Sequence, residues 1–80
     1  MLRKLETAKR VVGIKQVKRA ILSGDAVTVF LAEDADPAMT EPLQALCEER
    51  SIETIRVESM QKIGRVCHIA VGSACAAILR

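Results

Sequence analysis

The run Gly13-Ile14-Lys15-Gln16-Val17-Lys18-Arg19 concentrates a glycine, two amines, an amide and a guanidinium in seven residues. A helix starting at Ile14 would expose unpaired backbone N–H groups and a partial positive charge, which favour phosphate or electron-rich base edges. Lys15 and Gln16 stand four and three positions before Arg19, so the three project from one side of the first turns. Lys and Arg donate to guanine O6 and N7, whereas Gln both donates and accepts. Val17, Ala20 and Ile21 would face inward and hold that polar side rigid. The same pattern also fits an ordinary solvent-exposed helix face.

Two other groupings invite a chemical reading. Glu33, Asp34 and Asp36 could suggest Mg²⁺ binding or paired-carboxylate catalysis. They lack a companion nucleophile or phosphate loop, and loop solvation with helix capping accounts for them. Cys67-His68 with Cys75 fits no common zinc spacing and lacks an evident fourth ligand. No catalytic residue, metal or cofactor is therefore expected. Cys47, Cys67 and Cys75 are odd in number, contain no C-x-x-C and lie in apolar stretches. They read as reduced thiols serving as small hydrophobes, as in a cytoplasmic protein. Charges interrupt every apolar run at the N-terminus, unlike a signal peptide, and no stretch approaches membrane-spanning length.

The elements that must position these residues are built from aliphatic side chains, because Phe30 is the only aromatic. Readers of single-stranded RNA stack bases on aromatic rings. An RNA partner of this chain would have to be read through backbone, base edges or folded shape. Eighty residues suffice for one compact domain and leave nothing for a second core. Buried apolar area contributes roughly 25 cal/mol per Å², so so small a core leaves little room for a large internal ligand cavity. Charge is segregated along the chain. Up to Gly24, seven basic residues face only Glu6, a net of +6; from Asp25 to Glu58 nine acids face Arg50 and Arg56, a net of −7. One face suited to a polyanion and another turned away from it would follow, although a solvated charged surface gives the same tally.

Hydrophobic periodicity alternates helix and strand. Leu2 to Ala8 reads as a short amphipathic helix and Arg10 to Gly13 as a short strand ending in a turn. Ile14, Val17, Ala20, Ile21 and Leu22 recur at helical spacing until Ser23-Gly24-Asp25 stops the helix. Ala26 to Ala32 is an apolar, β-branched run, expected to be a central strand covered on both faces. Asp36 is placed to cap a helix with Pro37 at its first position, and Met39, Leu43, Leu46 and Cys47 form that helix's expected buried stripe. Pro42 removes a donor inside it, so a loose turn or a restart is expected there. Thr54 to Val57 reads as a strand and Ser59 as the N-cap of a helix through Arg65. Ala74 to Leu79 reads as a strand, with a helix as the alternative.

Taken in order, GIKQVKRAILSGDAVTVFLAEDADP, LCEERSI, VESMQKIGRVCHIAVG and the closing alanine-rich segment resemble the kink-turn-binding ribosomal protein superfamily. The likeness is to its short, bacterial, YbxF-like branch and runs from about Val11 to Leu79. It implies a single non-enzymatic RNA-binding domain over residues 1–80, an α/β fold built as a three-layer α/β/α sandwich on a mixed, mostly four-stranded sheet. The implied partner is RNA with a kink-turn, in ribosomal RNA or an mRNA leader, and the ribosome is a further implied partner; no membrane is implied. The resemblance assigns reading of tandem sheared G·A pairs to Lys15, Gln16 and Arg19, in a strand-to-helix motif whose turn is Gly13 and Ile14; Lys18 beside them would contact phosphate. It assigns a flipped-out bulge nucleotide to Asp36 and a second RNA-contacting loop to Ile69–Ser73, with Ile69, Val71, Gly72 and Ser73 at the contact. Ile14 stands where the family has a small residue, so its side chain must crowd the turn or pack inward. His68 stands where the family has glycine, so a left-handed backbone there would be unfavourable. Without kink-turn selectivity, the same basic face would serve a nonspecific duplex-RNA binder. The acids around Glu48, Glu49 and Glu53 could additionally engage a protein.

Overall fold

The computed structural model describes residues 2–80, with side chains from Lys4 onward, so the predicted contributions of Leu2 and Arg3 side chains lie outside it. The elements are α1 (Leu2–Thr7), β1 (Arg10–Val12), α2 (Ile14–Ser23), β2 (Ala26–Ala32), α3 (Pro37–Glu49), β3 (Glu53–Val57), α4 (Met60–Val66) and β4 (Cys75–Leu79). The strands form one sheet in the order β1-β4-β2-β3. β4 runs antiparallel to both β1 and β2, and β2 runs parallel to β3, which makes the sheet mixed.

Period-two alternation in β2 and β4 divides the core between the two sheet faces. Phe30, Ala76 and Ile78 pack with Leu5 of α1 and Ile63 of α4. Val29, Leu31, Cys75 and Ala77 pack with Val17 and Ile21 of α2 and Leu43 and Cys47 of α3. The result is the expected three-layer sandwich. β4 lies between β1 and β2, so both its edges are paired, which settles its alanine-rich sequence as strand. Small side chains there let helices approach the sheet closely from either side. Each fully buried large aliphatic or aromatic side chain contributes roughly 1.5–3 kcal/mol, and Phe30, Leu5, Ile21, Leu31, Leu43 and Ile63 are all in that class.

Four expectations need correction. Val27 is 43% exposed although β2 was expected to be covered on both faces. The β2–β4 register shifts between Ala26 and Thr28, and this bulge turns Val27 out of the layer. Leu22 is also exposed, because it lies on the opposite side of α2 from Val17. In α3 the buried residues are Thr40, Leu43 and Cys47, leaving Met39 on the flank of the stripe and exposed. Pro42 neither loosens nor restarts α3, which is continuous from Pro37 to Glu49. Pro42 and Ala38 both face solvent, so water can satisfy the Ala38 carbonyl that Pro42 deprives of a donor.

Three helices end in the same way. The residue after α2, α3 and α4 that turns left-handed is Gly24 (φ 82°), Ser51 (φ 57°) and His68 (φ 61°) respectively. The following amide in each case bonds back into the last turn: Asp25 to Ala20 O at 3.0 Å, Ile52 to Cys47 O at 2.8 Å and Ile69 to Gly64 O at 3.0 Å. His68 thus occupies the left-handed position usually filled by glycine, at a steric cost its β-carbon imposes. No helix among the described residues is long and apolar enough to cross a membrane.

Candidate nucleic-acid interface

Backbone hydrogen bonds draw several candidate residues to one end of the sheet. Gly13 N–H donates to Cys75 O at 3.1 Å, Ala32 N–H to Ala74 O at 2.9 Å and Glu33 N–H to Val57 O at 2.7 Å. The ends of β1, β2 and β3 and the start of β4 therefore lie side by side. The start of α2, the 33–36 loop, the start of α4 and the end of the 69–73 segment issue from that row.

Gly13 makes the handover from β1 to α2. Its φ of 103° and ψ of 155° belong to a region that is essentially glycine-only. A β-carbon would meet nothing within 4 Å, so backbone conformation rather than crowding demands glycine. Gly13 O accepts from Val17 N–H at 2.9 Å, opening the helix, and no side chain caps that opening. Ile14 is half-buried against both core clusters, so it packs inward. Lys15, Gln16, Lys18 and Arg19 are all exposed. Lys15, Lys18 and Arg19 line one open hollow with Leu22 and Ser23, while Gln16 and Arg19 line its neighbour with Val11 and Ala20. None of these four polar side chains has an ion-pair partner among the described residues.

Other basic residues are already engaged. Arg10 donates to Glu6 O at 3.1 Å and Cys67 O at 3.0 Å, tying the ends of α1 and α4 together. Arg56 donates to Gln44 Oε1 at 2.7 Å, Lys62 pairs with Glu58 at 3.2 Å, and Arg80 donates to Gly24 O at 2.8 Å. Of the basic residues counted up to Gly24, Arg10 is therefore withdrawn from the cations available to a ligand.

The two loops share an anchor. Asp36 caps α3, its Oδ1 accepting from Ala38 N–H at 3.0 Å. Asp34 Oδ1 accepts from Met60 N–H at 2.8 Å, while Met60 O accepts from Ser73 N–H at 3.1 Å. Ser59 caps the same helix, its Oγ accepting from Lys62 N–H at 3.1 Å. One residue at the start of α4 thus fastens both the 33–36 loop and the 69–73 segment. Gly64 and Gly72 allow the segment to lie directly on the helix. A β-carbon on Gly64 would overlap the Val71 carbonyl oxygen, and one on Gly72 would come within 3.0 Å of the Met60 carbonyl. The segment so held presents Ile69 and Val71, the latter 72% exposed. Ser73 is turned to structural use: its hydroxyl donates to Cys75 O at 2.8 Å.

Sequence reasoning missed Asp34, Met60 and Gly64. Gly64 did carry a signal, since a glycine inside a helix often marks a close approach. The carboxylates of Asp34 and Asp36 are helix-capping groups here. The thiols are not poised for chemistry. Cys67 and Cys75 sit in cores on opposite faces of the sheet, which separates the pair considered for metal binding. Burial pushes the Cys75 thiol up to about 12, although the Gly13 backbone opposes the shift, and burial raises Cys47 and Cys67 in the same direction. No group of three or more metal-ligating side chains occurs among the described residues.

Comparison with known proteins accords with this geometry. The family described as "Ribosomal protein L7Ae/L30e/S12e/Gadd45 family" matches residues 1–80. The chain is 43% identical over 76 residues to RNA-binding protein YbxF of Geobacillus stearothermophilus, covering 95% of this chain and 93% of that one. It is 42% identical over 76 residues, with the same coverage, to RNA-binding protein GWCH70_0105 of Geobacillus sp. strain WCH70. Among solved structures, the Giardia lamblia 15.5kD RNA binding protein superposes with a TM-score of 0.90 at 25% identity, covering 99% of this chain and 70% of that one. With the family matched along its whole length and close relatives matched nearly end to end, this chain belongs to the L7Ae/L30e/S12e/Gadd45 ribosomal protein family.

Proposed function

We propose that this protein binds RNA and recognises the kink-turn, a duplex bent by a bulge beside tandem sheared G·A pairs. The observation that carries the reading is the gathering at one sheet end of the α2 start, the Asp36 loop and the end of the segment bearing Ile69 and Val71. Relatives named as RNA-binding proteins support the RNA partner. Lys15, Gln16 and Arg19 read the G·A pairs, Gln16 as the bidentate amide and the two cations as donors to guanine O6 and N7. Lys18 and the uncapped amides of α2 meet phosphate, which adds affinity without sequence information. Asp36 faces the bulged nucleotide, and Ile69 and Val71 supply apolar contact from the second loop. Residues 1–80 work as one RNA-binding unit, and binding selects the bent conformer from an ensemble of straighter ones. The setting is cytoplasmic, either on ribosomal RNA or on an mRNA leader, and no catalytic step is involved.

The exposed, unpaired cations of α2 also suit a binder of any RNA duplex. Gel-shift titrations at one fixed salt concentration separate the two. Three duplexes are compared: a kink-turn, the same duplex without its bulge, and the same duplex with G·A replaced by Watson–Crick pairs. Kink-turn recognition requires that both altered duplexes bind at least about tenfold more weakly, the loss of one good bidentate contact. Equal affinity for all three would replace it with nonspecific duplex binding.

A further inference from the structure

The sheet has two edge strands, and they differ in length and surroundings. β1 is three residues long, and Arg10 on it and Arg19 beside it make that edge basic. β3 is five residues long and runs parallel to β2. In a parallel ladder every second residue turns both its N–H and its C=O toward the neighbouring strand. Val57 O accepts from Glu33 N–H, so Val57, Ile55 and Glu53 face β2, while Thr54 and Arg56 turn their N–H and C=O groups outward. No further strand lies beyond them. Such a row is a template for another extended chain. Both outward residues have their side chains tied back, Thr54 Oγ1 donating to Ile52 O at 3.4 Å and Arg56 to Gln44 Oε1 at 2.7 Å. The charge beside the edge is negative. Glu41, Gln44 and Glu48 stand three and four apart on one side of α3, and the reach of Gln44 to Arg56 shows that this side flanks β3. Glu41 and Glu48 are exposed and have no ion-pair partner among the described residues. Glu53 and Glu58 are already engaged, by the Thr28 hydroxyl and by Lys62.

We propose that the β3 edge docks an extended peptide rich in lysine or arginine, which adds a strand to the sheet. Main-chain bonds to Thr54 and Arg56 supply the pairing, and Glu41 and Glu48 select the charge of the peptide. Side chains of an added strand alternate between the two sheet faces, so every second one meets the α3 row. The peptide therefore carries its basic residues at alternate positions. The same acids repel phosphate, so this edge does not compete with α2 for RNA, and the proposal stands whether or not the chain selects kink-turns. A second copy is the poorer occupant. Two β3 strands paired about a two-fold axis would bring two acidic α3 rows together on one face, where they repel.

The test is an NMR titration of the ¹⁵N-labelled full chain with a capped heptapeptide alternating Lys and Val, and with its Glu-Val counterpart. The Lys peptide should shift the Thr54 and Arg56 amides most and slow their hydrogen exchange, while the Glu peptide shifts neither. Thr54→Pro removes an N–H that the sheet does not use, and should weaken the Lys peptide about fivefold through one lost main-chain bond. Glu48→Gln should weaken it roughly two- to fivefold, with a smaller effect at high salt. Thermal melts check the fold of both variants, and the wild-type amide shifts decide the site if Thr54→Pro does not fold. Absence of binding, equal binding of the two peptides, or shifts centred away from β3 would overturn the proposal. Sedimentation equilibrium examines the other occupant: a concentration-dependent dimer that Thr54→Pro abolishes would replace the peptide with self-pairing.

Discussion

Arg19 borders both hollows on the outer face of α2, with Lys15 and Lys18 in one and Gln16 in the other. A side chain so placed can pair with either neighbour's target, and the proposed base-edge contact makes a definite demand on it. Arg19→Ala or Gln16→Ala should cost roughly 1–3 kcal/mol of binding to kink-turn RNA. The loss should shrink on RNA lacking the G·A pairs, as measured by anisotropy at fixed salt; equal losses on both RNAs would reduce the contact to phosphate. His68 permits a second, independent test at this scale. It holds φ at 61°, where a β-carbon is strained, although the amide that follows completes a good helix end. His68→Gly relieves that strain but adds unfolded-state freedom, so a net gain of about 0.5–1 kcal/mol is expected. Urea unfolding measures it, and a destabilised variant would mean that the imidazole makes a compensating contact. The turn at Gly13 was legible in the sequence, whereas the resemblance left the backbone at His68 in doubt and the structure shows it left-handed. Which way Ile14 would turn was not legible, because that depends on both cores meeting at the start of α2.

Helix α4 shows where local sequence stops being informative. Ser59 as its cap, Asp36 as the cap of α3 and Gly24 as the end of α2 were all readable, because each acts on neighbours within a few positions. The hold of Asp34 on Met60 spans twenty-six positions, and Gly64 matters only because Val71 folds back on it. No periodicity encodes such pairings. Exposure of Leu22 and Met39 was misread for a related reason: apolar spacing gives a helix's period, but packing against the sheet and the neighbouring helix sets the edges of the buried stripe. The proposal treats α4 as the mount for both loops, which gives a distinctive prediction for Gly64→Ala. Its methyl collides with the Val71 carbonyl, an overpacking worth about 1–3 kcal/mol, against roughly 1 kcal/mol gained in helix propensity. The segment should lift from α4, and kink-turn affinity should fall by more than the change in stability alone explains. Parallel melts and titrations decide the point. An intact affinity in a folded Gly64→Ala protein would show that the segment's position is irrelevant to binding.

At the scale of the whole molecule, the sheet separates two aliphatic cores and its end gathers the loops of the proposed interface. The sandwich itself was legible as alternating helix and strand around the apolar run of β2; the sheet order was not, since strand pairing is a property of residues distant in the chain. Burial of thiols in both cores has a consequence for stability. The folded state holds the Cys75 proton to about pH 12, whereas the unfolded chain releases it near 9.0, and Cys47 and Cys67 shift the same way. The folded state binds more protons in that window, so stability is intact below about pH 9 and falls as pH rises above it. Urea midpoints at about pH 8 and about pH 10 should show the decline, and Cys75→Ala should make it shallower; an identical decline in the variant would assign it to other groups. Function at this scale is a matter of shape, because the elements proposed to grip RNA stand on both sides of the sheet end. A kink-turn RNA carrying a donor and an acceptor on its two arms, titrated at low Mg²⁺, reports that directly. Energy transfer should rise to a saturating, tightly bent value with the wild-type protein, while the G·A-disrupted twin stays extended. Binding that leaves transfer unchanged, or that bends both RNAs alike, would contradict the proposal.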